Sequence, residues 1–184
     1  LESFSAKTRA WFLTHAATAR SAMGDTVALR WMTDSIRAIG ARSSIARDQR
    51  LHHYTRGLLL AARGRLEEAV VELRQAIWSP TIGFSRVNYE LAKLYMRLGR
   101  PREAVTVLQQ ALRGPIDASN YYLTRPELHE QLGWAWLVAG RRDPVDEVLD
   151  ECLGYRAVHV IMRHVITHAV RAPAERQFTQ IAGP

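Results

Sequence analysis

Apolar residues along this chain recur at spacings of three and four, which places them on one side of a helix. Leu91, Leu94, Tyr95 and Leu98 follow this pattern, as do Leu132, Trp136 and Leu137. A second set follows a short polar break: Ala69, Val70, Leu73, Ala76 and Ile77 after Gly64, and Ala104, Val105, Leu108, Ala111 and Leu112 after Gly99. The pattern predicts helices over about residues 4–22, 26–39, 45–63, 66–77, 86–98, 101–113, 125–139 and 144–153, with a ninth over 155–170. The fold class expected from these helices is all-α. The stretches 78–85 and 114–122, rich in Pro, Gly, Ser and Asn, read as longer connections, and 171–184 as a polar tail.

The breaks between helices repeat. Residues 63–70 (RGRLEEAV) align without a gap on 98–105 (LGRPREAV), 35 positions later. Gly140-Arg141-Arg142-Asp143-Pro144-Val145 renews the theme, and Gly24-Asp25-Thr26-Val27-Ala28-Leu29 is a fainter copy. A glycine between two amphipathic helices supplies the left-handed residue that ends the first. Pro101 and Pro144 stand at first helical turns, the helix position that accepts proline. Thr124-Arg125-Pro126-Glu127 predicts a capping box.

These residues resemble the tetratricopeptide repeat pattern of Trp, Leu-Gly, Tyr, Ala, Phe, Ala and Pro at fixed offsets. In the third unit Leu91-Ala92, Tyr95, Ala104, Leu108 and Ala111 match. In the fourth, Leu132-Gly133, Trp136, Val145, Leu149 and Cys152 do. The second keeps Gly57, Leu60, Ala69, Leu73 and Ala76 but has Arg56 where Leu is expected. The first, with Arg20 and Thr33 at large-apolar positions, is degenerate. The resemblance spans about residues 8–153. It implies a right-handed superhelix of about four hairpins (units about 8–40, 50–83, 85–118 and 126–153) plus a C-terminal capping helix at 155–170, together one domain over 1–170.

The resemblance also implies a concave groove lined by inner positions of each unit's first helix. Carried over, these are Trp11, Thr14 and Thr18; Leu51, Tyr54, Leu58, Ala61 and Ala62; Arg86, Tyr89, Lys93, Met96 and Arg97; and Glu127, Glu130, Trp134, Leu137 and Val138. The expected partner-binding residues are Tyr54, Arg86, Tyr89, Lys93, Arg97, Glu130 and Trp134. An Arg/Lys cluster beside Tyr and Trp suits an extended peptide with acidic side chains or a free carboxylate.

Charge changes this picture little. The net charge is +7, and 23 of the 25 basic residues are Arg, a skew that fits GC-rich bacterial coding. Residues 119–153 carry three Arg against seven acids, which interrupts the continuous basic stripe a nucleic-acid groove needs, so nucleic acid is not the expected partner. No apolar run is long enough to span a bilayer. A single cysteine, Cys152, and no visible signal peptide point to a cytoplasmic location. The missing initiator Met suggests a processed or excised piece of something longer.

Candidate chemistry is thin. His164 and His168 lie four apart on the last predicted helix, beside His159, but lack a nearby thiol or carboxylate and are crowded by Arg163 and Arg171. His129-Glu130 lacks the second histidine of a metalloprotease helix, and Cys152 holds a small-residue core position. Asp143, Asp146, Glu147, Asp150 and Glu151 form an acidic run that reads as a solvated face or a seat for a basic partner. No phosphate-binding glycine loop, serine elbow or paired-carboxylate arrangement occurs. The expectation is therefore a non-enzymatic protein-binding scaffold or adaptor without cofactor or metal. The alternative is a regulatory repeat domain of a larger bacterial transcription or signalling protein, and a third reading is homo-oligomeric self-assembly through a terminal repeat face.

Overall fold

The computed structural model describes residues 2–77, 85–113 and 123–140, with side chains from Thr8 onward. Seven helices and no strand occur among them: α1 (Glu2–Ala22), α2 (Thr26–Gly40), α3 (Ala46–Ala62), α4 (Leu66–Ala76), α5 (Ser85–Arg97), α6 (Pro101–Arg113) and α7 (Arg125–Val138). Every boundary falls within two residues of the periodicity reading. The expected helices at 144–153 and 155–170 and the tail at 171–184 lie outside the described residues.

The turns form for the reason the repeats suggested. Gly64 and Gly99 have φ of +75° and +70°, a conformation that costs a side-chain-bearing residue roughly 1 kcal/mol or more. The following amide then folds back, with Arg65 N–H on the Leu60 carbonyl at 3.0 Å and Arg100 N–H on that of Tyr95 at 2.8 Å. Carbonyls at the helix end are thereby satisfied. At the start of α7 the capping box is present: Glu127 N–H donates to Thr124 Oγ1, and Thr124 N–H to the Glu127 carboxylate at 2.6 Å.

Helices pair as hairpins α1/α2, α3/α4 and α5/α6, and each hairpin packs on the next. Small residues set the spacing. A Cβ on Gly57 would stand 2.6 Å from Leu73 Cδ2, so α3 and α4 approach as closely as they do only with glycine there. The core runs through the array: Leu29, Leu73, Leu91, Tyr95, Leu108 and Leu128 are buried, as the apolar stripes require. Polar links join the second and third hairpins, with Arg74 Nε donating to the Tyr95 hydroxyl at 2.9 Å and Arg100 paired to Glu67 at 2.6 Å. The degenerate first unit tolerates Thr33 because its hydroxyl lies within hydrogen-bond distance of the Leu29 carbonyl (2.8 Å) and of Thr55 Oγ1 of α3 (3.0 Å). A buried hydroxyl with partners costs little.

Candidate functional site

The inner residues of the first helices fall into two groups with different fates. In the first, α1 lies against α3 as well as against α2, which brings their inner positions together. Tyr54 is wholly buried, its hydroxyl 3.0 Å from Thr18 Oγ1. Arg86, in the first turn of α5, reaches back over it. Its guanidinium carbon sits 4.7 Å from the Tyr54 ring centre and 5.7 Å from that of Trp11. Arg86 Nη1 is 3.0 Å from His15 Nδ1. A guanidinium can only donate, so Nδ1 accepts and the imidazole proton resides on Nε2. Arg47 covers Trp11 at 4.8 Å while its own head is held 3.0 Å from the buried Asp48 carboxylate.

Tyr54 and Arg86 were expected to face an open groove, and that expectation is corrected: Arg86 is only 6% exposed and Tyr54 not at all. The physical reason is the flat guanidinium, which buries its faces against aromatic rings while keeping favourable electrostatics. Burial pushes the Tyr54 phenol well above its ordinary value, with Arg86 pulling the other way. The ring therefore stays neutral. The ring packs the middle of this inner face, where Thr14, Leu51 and Leu58 are also buried, while Ala62 at its end stays exposed.

The second group, on α5 and α7, remains open. Tyr89 is half-buried, Lys93, Arg97 and Glu130 are exposed, and Trp134 is partly buried. Lys93 Nζ stands 5.5 Å from the Tyr89 ring centre and contacts both carboxylate oxygens of Glu90, at 3.0 and 2.9 Å. Arg97 makes no ion pair among the described residues. The Tyr89 phenol is pushed up by burial first, then by the carboxylates of Glu127, Glu90 and Glu130. Helix α7 makes direct contact with α5 as well as with α6. Met96 and Leu137 give this surface an apolar floor, packed on the main core.

The open surface is thus of mixed charge, where the sequence reading anticipated an Arg/Lys cluster. Glu90 was overlooked because it lies one position off the inner set and reaches Lys93 only through the i,i+3 geometry of the helix. His15 was missed for the opposite reason, since its partner is 71 residues away and no sequence signal marks it. The acidic run at 143–151, Cys152, His159, His164 and His168 lie outside the described residues. Among the described residues no group of three or more His, Cys, Asp or Glu is arranged to hold a metal ion, and no helix is long and apolar enough to cross a membrane.

Residues 60–115, from the end of α3 through α6, match the sequence model of the tetratricopeptide repeat family. No curated protein sequence matches the chain. Among solved structures, two crystal structures of the nearly identical TPR-like repeats of a Podosopora anserina protein, named there as a kinesin light chain, superpose with TM-scores of 0.60 and 0.61. Each is 18% identical, and each match covers 95% of this chain and 91% of that one. The likeness is one of fold.

Proposed function

Taking the chain as one built of tetratricopeptide repeats, we propose that it is a protein-interaction module that holds an extended segment of a partner against the inner faces of α5 and α7. One observation carries this reading. Aromatic and charged residues at inner positions stay within reach of solvent on these two helices, whereas the first two units spend theirs on internal packing. Tyr89 and Trp134 offer flat apolar surface at low entropic cost. Arg97 meets a carboxylate of the partner, and Glu130 with Glu127 meets a basic group. Lys93 must exchange Glu90 for a ligand carboxylate, so its contribution is smaller than that of Arg97.

The test is affinity capture from a host lysate with wild type and an Arg97→Glu, Trp134→Ala variant, after both show the same helical circular dichroism and melting. Loss of a specific partner by the variant supports the reading. Retention of every partner moves binding away from α5 and α7.

A further inference from the structure

The seam between the first and second hairpins differs in chemistry from the two that follow it. Six and thirteen residues after the turn glycine, α4 places Val70 and Ile77 and α6 places Val105 and Leu112. Twelve and eight residues before the next glycine, α5 places Val87 and Leu91 and α7 places Leu128 and Leu132. All of these are apolar and belong to the core or pack on it. The same positions of α2 and α3 hold Arg30, Arg37, His52 and Arg56.

Helices α2 and α3 still pack closely, along the residues one step earlier. Thr33 Oγ1 lies 3.0 Å from Thr55 Oγ1, Ile36 shares a core cluster with Leu51, and the Gly40 backbone lies against the Asp48 carbonyl. These contacts advance along α2 as they retreat along α3, so the two helices are antiparallel. In antiparallel neighbours the residues one step on from the contact line fall on the same side of the seam. Arg30 and Arg37 therefore flank the same side as His52 and Arg56. The three arginines are exposed and His52 is half-buried. Arg30 and Arg37 make no ion pair among the described residues. The carboxylates at hand are Asp34, exposed between the two arginines on α2, and Glu72 of α4, which lies 3.2 Å from Arg56 Nε and 2.8 Å from His53 Nδ1. Three arginines against two carboxylates leave the seam positive before either histidine is protonated. Burial first, then His53 and Arg37, holds His52 below its ordinary value.

We propose that this seam binds the phosphate group of a small ligand, with Arg30, Arg37, Arg56 and the His52 imidazole as donors. Guanidinium forks match pairs of phosphate oxygens, and a protonated imidazole adds a further N–H. One helical turn, about 6 Å, separates His52 from Arg56, which lets side chains of this length converge on one tetrahedral anion. The dianion supplies the countercharge that Asp34 and Glu72 leave incomplete. It also favours imidazolium, so binding raises the His52 titration midpoint. The site uses none of the groove residues of α5 and α7.

Imidazole NMR of the whole chain tests this, with inorganic phosphate added up to about 20 mM and chloride balancing the ionic strength. Phosphate should raise the His52 midpoint saturably, and chloride alone should not. The Arg30→Ser, Arg37→Ser variant should weaken phosphate binding about tenfold, the loss expected for charge-assisted hydrogen bonds. Its circular dichroism melting should be unchanged, because both side chains are solvated. Without phosphate this variant should already raise the midpoint, since Arg37 no longer opposes protonation. Arg102→Ser, at an exposed site on α6, should bind phosphate as wild type does. Phenyl phosphate separates the sources: binding equal to that of the inorganic ion means that an ester is accepted, and binding of the inorganic ion alone means that free phosphate is the ligand. A His52 midpoint that neither anion moves, a shift that chloride reproduces, or a double variant that binds as tightly as wild type would each overturn the proposal.

Discussion

The inner positions of α1 with α3 and of α5 with α7 come from the same repeat register, yet the first set is uncharged and largely packed inside, and the second carries charge and stays largely open. Tyr54 and Tyr89 occupy equivalent places. The first is sealed under Arg86 and bonded to Thr18; the second stands beside Lys93 and three carboxylates at the surface. The difference comes from neighbours. At the N-terminal end Trp11, His15 and Thr18 of α1 give Tyr54 and Arg86 somewhere to go. An inner-position arginine is therefore packed away, as Arg86 is, or left in solvent, as Arg97 is, according to which side chains lie opposite.

The largest effect should come from dismantling the sealed end. Tyr54→Ala removes a wholly buried aromatic side chain that supports both Thr18 and Arg86, and should cost about 3–5 kcal/mol in denaturant unfolding. Tyr54→Phe, which deletes only the hydroxyl, should cost about 1 kcal/mol. If the two cost the same, packing of the ring is not what closes this face.

Arg86→Ala sharpens the comparison. It should destabilise by roughly 2 kcal/mol, through lost stacking on Tyr54 and Trp11 and a cavity between α1 and α5. Faster amide hydrogen exchange should appear in α1 while α6 and α7 are little affected. A comparable cost of about 1–3 kcal/mol is expected for Gly57→Ala, whose new methyl meets the Leu73 side chain at 2.6 Å. That site lies between α3 and α4, so exchange in α1 should respond less than it does to Arg86→Ala.

At the open end stability should barely move. Lys93→Ala combined with Arg97→Ala should stay within about 0.5 kcal/mol of wild type in unfolding, because both side chains are solvated, while weakening partner capture. A large loss of stability there would mean that the open face is also structural.

The smallest effect is a pH dependence at α3. Burial, then the neighbouring His53, holds His52 below the ordinary histidine value of 6.5. The unfolded chain then takes up a proton more readily than the folded one, so stability falls as pH drops below 6.5 toward the depressed folded value. Thermal melts of wild type and His52→Gln between pH 7.5 and about 5 should converge at the acid end relative to their difference at neutral pH.

Much of the architecture was legible in one dimension. Helix limits follow from apolar spacing, the turns from glycines that must adopt positive φ, and the α7 start from a capping box that closes within four residues. All of these are short-range relations, and the intervals that set them are visible in the chain. So was the set of inner positions, because repeat register carries over from unit to unit.

What the register could not convey is which inner residues remain open. Arg86 and Arg97 look alike in sequence, both cationic and both on the inner line of α5. Only the long-range meeting of α5 with α1, across 71 residues between Arg86 and His15, buries the first. The sequence by itself determined the helices, their pairing and the face each turns inward, because local hydrogen bonding and apolar periodicity decide those. Tertiary structure alone decided which inner residues are packed away and which stay open to solvent, because that depends on stacking between side chains that no local interval relates.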